Sequence, residues 1–595
     1  MTRSTRWSRP VHYFILLVAH VELFVRPTGA GNNDWWLSFH PFADVVREII
    51  LRFHQFPWWN PWANGGVPLF ADPEMAVVSL DTLLVLAFGA VVGPKLAVLL
   101  YTISGYEGTR ALAPRLVVGG GGRPGDRTLA VWASVVPALV PALAGHLATG
   151  HYSFVSFHAL PWLIVLGLTW RRSVWRSLAL GLLVGYLLLT YIHYTTIMAL
   201  TIAAVVVAVQ FVLGGGRGRT WAQAALIGLA ALGVCFTRLA VSAHWALRFP
   251  RPDAFYPFVV PVRLAVVSLF APFRSGSHEQ MPLASSELGW HEIGCYVGAF
   301  AFVLALIGLR RNGRWRVRWW HVIVPVLFLL AWNNEALWSP GHWARRVAPW
   351  SFLLIITRWR VFACYFLLIG AVSGLVALRR AGLRHVAWLA LAVLVVDLGG
   401  HVMLAWHGEM RLPPPPWSRA PGPPVSVRTP RDEGYWPALR RNEVFLNAES
   451  TILRYHPATK RLAVGEAAYR GEVWGRRPAR MAEWSPNRIV IEGAPGDAVF
   501  VNVNPGNYWR VGGEDYFANL PAVAPDARFQ VKVPPSGRVT LRIRPPYLAA
   551  FGAVQAVCAL LAAGLVVGLV RSRRRQGEPS SAPRTGLPGA SAGTN

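Results

Sequence analysis

Asp34 opens the first stretch of this chain that could do chemistry, NNDWWLSFHPFADVVREIILRFHQFPWWNPWANGGVPLFADPE from Asn32 onward, just after an apolar N-terminal run. A carboxylate at that spot meets a lipid-linked substrate at the membrane surface, where it could take a proton from an acceptor hydroxyl. Its plainer role is that of a capping or solvated loop aspartate. Asp72 and Glu74 form an Asp-Pro-Glu triplet beyond the Gly65-Gly66 turn. Two carboxylates so spaced in extended chain suit one shared divalent cation, Mg²⁺ or Mn²⁺, the only cofactor these residues suggest. Arg358 and Arg360 stand at the mouth of a later apolar run, with Arg345 and Arg346 before it, placed to hold a departing phosphate by bidentate contacts. An arginine at a helix end also serves as a snorkelling anchor. Trp35, Trp36, Trp58, Trp59 and Trp62 fit either an aromatic belt at headgroup depth or stacking on a sugar face, and Trp35 and Trp59 are taken as substrate contacts. His151 joins them, although His151, His193, His278 and His291 lack metal-ligand spacing and otherwise read as polar interface residues. Glu22, Arg238 and Asp397 lie in or near apolar runs, where a charge implies pairing or function.

The elements that must position these residues follow from composition. Of 595 residues, 54% are hydrophobic and 15% charged, against roughly 25% charged in a soluble domain. That balance excludes an ordinary soluble enzyme. A net charge of +29 raises nucleic acid as a partner, but the basic residues cluster in short segments beside apolar blocks, as membrane topology requires. No nucleic-acid partner is expected. Cys235, Cys295, Cys364 and Cys558 all fall in apolar blocks and read as small hydrophobes.

Runs long enough to cross a ~30 Å hydrocarbon layer predict twelve spans: 11–25, 94–113, 129–147, 153–169, 177–192, 195–213, 221–240, 293–309, 319–333, 361–378, 386–402 and 547–570. Two doubtful stretches, 76–92 with Asp81 and 259–272 with Pro261 and Arg263, decide the topology. If neither crosses, nearly every arginine cluster falls on the cytoplasmic side, with both termini inside. The predicted fold class is therefore a polytopic α-helical membrane protein with a small extracytoplasmic β-sandwich-like domain before the last span. Residues 1–403 form the membrane domain, with outer loops 26–93 and 241–292; 404–546 hold a Pro-rich linker and the β-rich unit; 547–570 form the final span, and 571–595 a disordered basic tail. Strand-like runs appear at 488–492, 498–503, 529–533 and 539–543. In the first outer loop, Val45, Val46, Ile49, Ile50 and Phe53 share one helical stripe, predicting a helix flat in the membrane interface.

The run from Phe56 to Pro73, FPWWNPWANGGVPLFADP, resembles the signature of bacterial YfhO-like membrane proteins of the GT-C glycosyltransferase superfamily. Weaker echoes are Gly150-His151, the Leu160-Pro161-Trp162 helix start, Glu292 to Gly298, Arg358 to Phe362, and Asn504 to Arg510. The chain departs from that pattern at Asn32-Asn33, where a glycine is common, and at Trp509 to Gly513. The resemblance implies an enzyme of the bacterial cytoplasmic membrane with its active face outside. It would transfer a sugar from a polyprenyl-phosphate donor to a glycan or lipid acceptor of the cell envelope, with Asp34 as the catalytic base. Short cytoplasmic loops without a Gly-rich phosphate loop also leave a nucleotide sugar nowhere to bind. The rival readings are a lipid or glycan transporter or flippase, for which internal repeats are not visible, and a non-catalytic scaffold for envelope assembly.

Overall fold

The computed structural model describes residues 7–26, 34–63, 65–119, 122–213, 218–248, 266–271, 290–311, 314–315, 318–331, 340, 343, 346–347 and 355–410. Beyond these it describes 413–418, 423–427, 435–446, 462–504, 508–513, 516–519 and 529–577. Arg345, His278, most of the loop 241–292 and the tail beyond 577 lie outside the described residues.

Helix forms at each of the twelve predicted spans. Among the described residues, eight helices are long and apolar enough to cross a membrane, and Val174–Thr190, Ala299–Leu309 and Trp319–Ala331 are shorter apolar helices. The N-terminal run is two helices, Ser8–Ala19 and Val21–Val25, parted at His20. Several apolar helices in one chain make this a multi-pass membrane protein.

The stretch 76–92 is settled by a glycine. Leu80–Val117 has 38 residues, about 57 Å if straight, far beyond the hydrocarbon thickness. It breaks at Gly89, whose φ of 83° is one that L side chains rarely adopt. The segment before the break folds back on the segment after it. A Cβ on Gly93 would lie 2.7 Å from the Val85 backbone, and Asp81 accepts a hydrogen bond from the Tyr101 hydroxyl at 2.9 Å. Residues 80–88 are nine residues, about 13 Å of helix, too short to span a ~30 Å hydrocarbon layer as a separate helix.

Trp359–Arg380 is the centre of the bundle. Every side chain from Trp359 to Val376 is buried, the mark of a helix surrounded on all faces. Small residues let its neighbours close in: a Cβ on Gly374 would come within 2.0 Å of the Leu304 carbonyl oxygen, and one on Gly308 within 2.6 Å of that of Gly370. Leu548–Gly577 packs on the outer side against Gly218–Arg248, where Gly233 meets Ala559.

The two sheets of the β-rich unit contain the four predicted strands and four more among the described residues. Strands Arg480–Ser485, Arg488–Glu492, Arg538–Ile543, Trp509–Gly513 and Tyr516–Asn519 make an antiparallel five-stranded sheet, and Val473–Gly475, Ala498–Val501 and Gln530–Lys532 a second of three. Their inner faces share one core containing Ile489, Val499, Val531 and Leu541.

That core extends into the first loop. Trp59–Asn60 pairs with Val67–Pro68 as a short hairpin, and Trp59 and Trp62 are 1% and 0% exposed. Trp59 meets Trp509 edge-on, and the Trp62 indole N–H donates to Asn442 Oδ1 at 3.0 Å. The backbone N–H of Asn504 donates to the Gly65 carbonyl at 2.8 Å, and that of Phe445 to the Trp62 carbonyl at 2.9 Å. The most distinctive run of the sequence is thus the seam between membrane domain and β unit. The expected interfacial helix exists as His40–Leu51, but Val45, Val46 and Ile49 are buried in this same protein core rather than spread on lipid. Asp44, which takes another helical angle, is buried too, pairing with Arg440 at 2.9 Å and accepting from the Trp436 indole.

At Gly66 φ is +109° and a Cβ would lie 2.5 Å from Trp59 Nε1. Gly66→Ala should lower protein stability by about 1–3 kcal/mol, read as a drop in the thermal unfolding midpoint of purified protein. Gly399→Ala, with open space around its Cβ, is the neutral control. Equal midpoints would mean that the seam does not hold the fold.

Candidate functional site

Asp34 is pinned by its backbone. Its N–H donates to the Thr149 carbonyl at 3.0 Å, and the next residue, Trp35, donates its indole N–H to the Leu147 carbonyl at 2.7 Å. One turn of π-helix, Trp35–Phe39, follows. Between the two chain segments lies Gly150, with φ +97°, where a Cβ would lie 2.3 Å from the Trp35 nitrogen and 2.7 Å from Asp34 Cβ. Only glycine fits such an approach. His151 follows at once, and its Nε2 stands 3.6 Å from Asp34 Oδ2.

On the other side of His151 is Glu292. His151 Nδ1 lies 3.7 Å from Glu292 Oε1 and 3.0 Å from His146 Nδ1, while His291 Nε2 is 3.8 Å from Glu292. Glu292 is bound by Arg358: its oxygens accept from Nε at 3.1 and 3.2 Å and, more closely, from Nη2. Nη1 takes no part in that pair. Arg358 lies 4.4 Å over the Tyr194 ring and 5.3 Å over that of Phe154. Glu74 closes the group, 3.3 Å from His193 Nε2, whose Nδ1 bonds Ser153 at 2.7 Å. A cavity of about 60 Å³ reaches Glu74 from between Phe39, Asp81 and Tyr152.

Burial drives the protonation states apart. It pushes the Glu292 carboxyl up, but the charge and hydrogen bonds of the Arg358 guanidinium outweigh it and hold the group well below the usual range. His151 is pushed well down by burial and by Arg358, against the pull of Glu292, and is neutral near pH 7. Asp34, 31% exposed, and Glu74, 26% exposed, are the solvent-reachable acids here, and Asp34 is the one beside His151. The arrangement joins a reachable carboxylate to a fixed guanidinium through a neutral imidazole, which suits removing a proton from a hydroxyl beside an anionic leaving group.

His146, His151 and Glu292 bring one ligand atom each within 4.8 Å of one another, a spacing that could hold a cation. Glu292 is already engaged by Arg358, whose charge opposes a cation there. Against that, Asp34, Glu74 and Glu292 outnumber the one guanidinium, and a cation would offset the excess. At the triplet expected to bind Mg²⁺ or Mn²⁺, Asp72 Oδ1 accepts the Glu74 backbone N–H at 2.9 Å while the Glu74 carboxylate faces His193. Asp72 is buried, and burial together with the Glu74 charge pushes its carboxyl up to about 7.

The structure brings together Asp34, His151, Glu74 and Arg358 of the residues singled out in the sequence. The others singled out have different parts. Trp35 is fully buried against Tyr152 and His40, and Trp59 lies in the seam, so neither ring face is open to a sugar. Arg360 reaches the same short segment as Arg358 but spends its guanidinium on the backbone: it donates to the Ile293 carbonyl at 3.0 Å and steadies the turn bearing Glu292. Arg346 stacks on Trp343 at 4.8 Å. Arg238, fully buried, donates to the carbonyls of Phe70, Asp72 and Met75 and so fixes the loop carrying Glu74. Glu22 pairs with Arg26 and His407, and Asp397 with Tyr296 and His401. His193 and His291, expected as scattered interface residues, join the cluster. Glu292 and His146 had no assigned role; the one signal for Glu292 is an acid immediately before an apolar run.

A raised folded-state pKa means that the stabilising contribution of Asp72 is complete below its unfolded value and is lost as pH rises through about 7. The unfolding midpoint should therefore fall as pH rises from about 4 to about 7 and level off above that. Asp72→Asn keeps the acceptor for the Glu74 N–H and should flatten that dependence. A slope that survives the substitution would assign it to another group.

No family model matches the chain, so the resemblance to YfhO-like proteins stands on the first-loop residues, and no curated protein matches it either. Among solved structures, ArnT from Cupriavidus metallidurans bound to undecaprenyl phosphate aligns at 13% identity and a TM-score of 0.38, covering 73% of this chain and 84% of that one. The arabinofuranosyltransferase AftD from Mycobacteria aligns at 14% identity and a TM-score of 0.39, covering 69% of this chain and 27% of that one. At this level of similarity the functional reading rests on the chain's own geometry.

Proposed function

We propose that the chain is a GT-C-type membrane glycosyltransferase that moves a sugar from a polyprenyl-phosphate donor to a glycan or lipid acceptor of the bacterial cell envelope. The observation that carries the reading is the convergence of Asp34, His151, Glu292 and Arg358 from four separated parts of the chain onto one point at the ends of membrane helices. In this reading Asp34 takes the proton of the acceptor hydroxyl as the hydroxyl oxygen attacks the anomeric carbon. The bond from that carbon to the lipid phosphate breaks, and the phosphate leaves with the electron pair. Arg358 is anchored by Glu292 through Nε and Nη2, which leaves Nη1 for the departing anion. His151 orders Asp34, and the positioning residue Arg238 orders the loop of Glu74. A divalent cation, Mg²⁺ or Mn²⁺, belongs to the proposal through Asp72 and Glu74.

Purified protein in lipid should release polyprenyl phosphate from a polyprenyl-phosphate sugar when an acceptor is supplied, and should ignore nucleotide sugars. Asp34→Asn should cut turnover by about 10²- to 10⁴-fold with the unfolding midpoint unchanged. Near-normal transfer by that variant would remove Asp34 from the base role. Loss of turnover on chelation, restored by Mg²⁺ or Mn²⁺, would confirm the cation, and indifference to a chelator would remove it.

The proposal places this site on the outer face of the cytoplasmic membrane. The four native cysteines are buried, so single exposed cysteines report sidedness. In intact cells His54→Cys should react with an impermeant maleimide and Arg123→Cys should not. The reverse pattern would put the site on the cytoplasmic side and readmit soluble donors.

A further inference from the structure

The opposite end of the bundle holds a second, larger cavity of about 980 Å³. It lies near the far end of Trp359–Arg380 from Arg358, some 30 Å away at 1.5 Å per residue, and shares no residue with the site above. Its charged lining is Arg9, Arg110, Arg115, Arg127 and Arg172 with a single acid, Glu107. Glu107 is already taken: Arg9 holds it with two bonds of 2.9 Å, and Tyr13 donates to it at 2.8 Å. Asp126, the nearby alternative, is paired with Arg379 and Arg380. Among the described residues no carboxylate lies within ion-pair distance of Arg115, Arg127 or Arg172, although Arg115 is within electrostatic reach of both of the others.

Arginines at helix ends on this side are expected from topology alone, but Arg110 does not fit that account. It sits seven residues inside the end of Leu80–Val117, about 10 Å below it, with a side chain 8% exposed. Its Nε is buried and makes no hydrogen bond, and Nη1 reaches only 3.6 Å from the occupied Glu107. A buried guanidinium donor left open is costly unless an acceptor fills it. Part of the cavity wall is apolar, with Trp162 and Leu168. We propose that this cavity binds a phosphate group, and that the phosphate is the headgroup of an anionic phospholipid whose chains lie along the apolar wall. The volume is ample for a headgroup and its glycerol.

The test uses the full chain in nanodiscs of phosphatidylcholine with one-fifth phosphatidylglycerol, released into detergent for native mass spectrometry. Wild type should retain phosphatidylglycerol in preference to phosphatidylcholine. Arg110→Gln combined with Arg115→Gln should weaken retention about 10-fold or more, the loss of one or two charged hydrogen bonds. Arg110→Lys with Arg115→Lys keeps the charge and should retain it in part, which keeps the test decisive if the glutamine variant fails to fold. Arg384→Gln, a basic residue outside the cavity, should change nothing. Inorganic phosphate or uridine diphosphate at 10 mM should not displace the lipid; displacement would replace the lipid with a soluble phosphate as ligand. Equal retention of both lipids by wild type, or equal loss with Arg384→Gln, would overturn the site.

Discussion

The buried pair of Arg358 and Glu292 is the contact on which the rest of the candidate site depends. A guanidinium and a carboxylate, 6% and 3% exposed, are taken out of water together, and removing either partner of such a pair costs about 3–5 kcal/mol. The pair ties the start of the central helix to the short helix Trp290–Ile293. It also sets the field in which His151 stays neutral and gives Tyr194 and Phe154 a cation to pack on. Asp34 reaches this assembly only because Gly150 lets two backbones come together. Charge holds the inner half of the site, and the absence of a side chain admits the outer half.

Much of the architecture was legible because it is set by local pattern. Hydropathy found helix at each of the twelve apolar runs but not Tyr435–Arg440 in the β-rich region, and alternation found Arg488–Glu492 to the residue and three further strands within one or two positions. The charge bias kept 76–92 from counting as a crossing, although the fold-back at Gly89 was not foreseen. The site was less legible for a physical reason. Asp34, His151, Glu292 and Arg358 are separated by more than a hundred, a hundred and forty, and sixty-six residues in turn, and no periodicity links such positions. Residue type misled where one side chain serves several ends. A tryptophan stacks on sugars, lies at headgroups or fills a core, and for Trp35 and Trp59 the core was decided by partners distant in sequence. Arg358 and Arg360 were read together as phosphate contacts, but Arg360 is taken up by the Ile293 carbonyl.

The electrostatics of the two ends of the bundle differ in kind. At the candidate site acids outnumber the one guanidinium, which is held by Glu292, and imidazoles stand beside Asp34 and Glu74. At the far end five arginines share one acid. A membrane protein with its positive charge gathered on one side is oriented by that charge, but gathering it inside a cavity adds a demand for an anion that orientation alone does not require.

The seam between the first loop and the β unit carries a consequence for the order of synthesis. Trp62 and Asn442 are 380 residues apart in the chain, and translation at ~5–20 residues per second separates their appearance by roughly 20 to 80 seconds. Through that interval Trp59, Trp62, Val67 and Leu69, which end fully covered, lack the cover that the β unit later supplies. The nascent protein therefore carries an open apolar face for longer than a small domain takes to fold. Its biogenesis calls for something to occupy that face, whether lipid, an insertase or a holding chaperone, until the last quarter of the chain arrives.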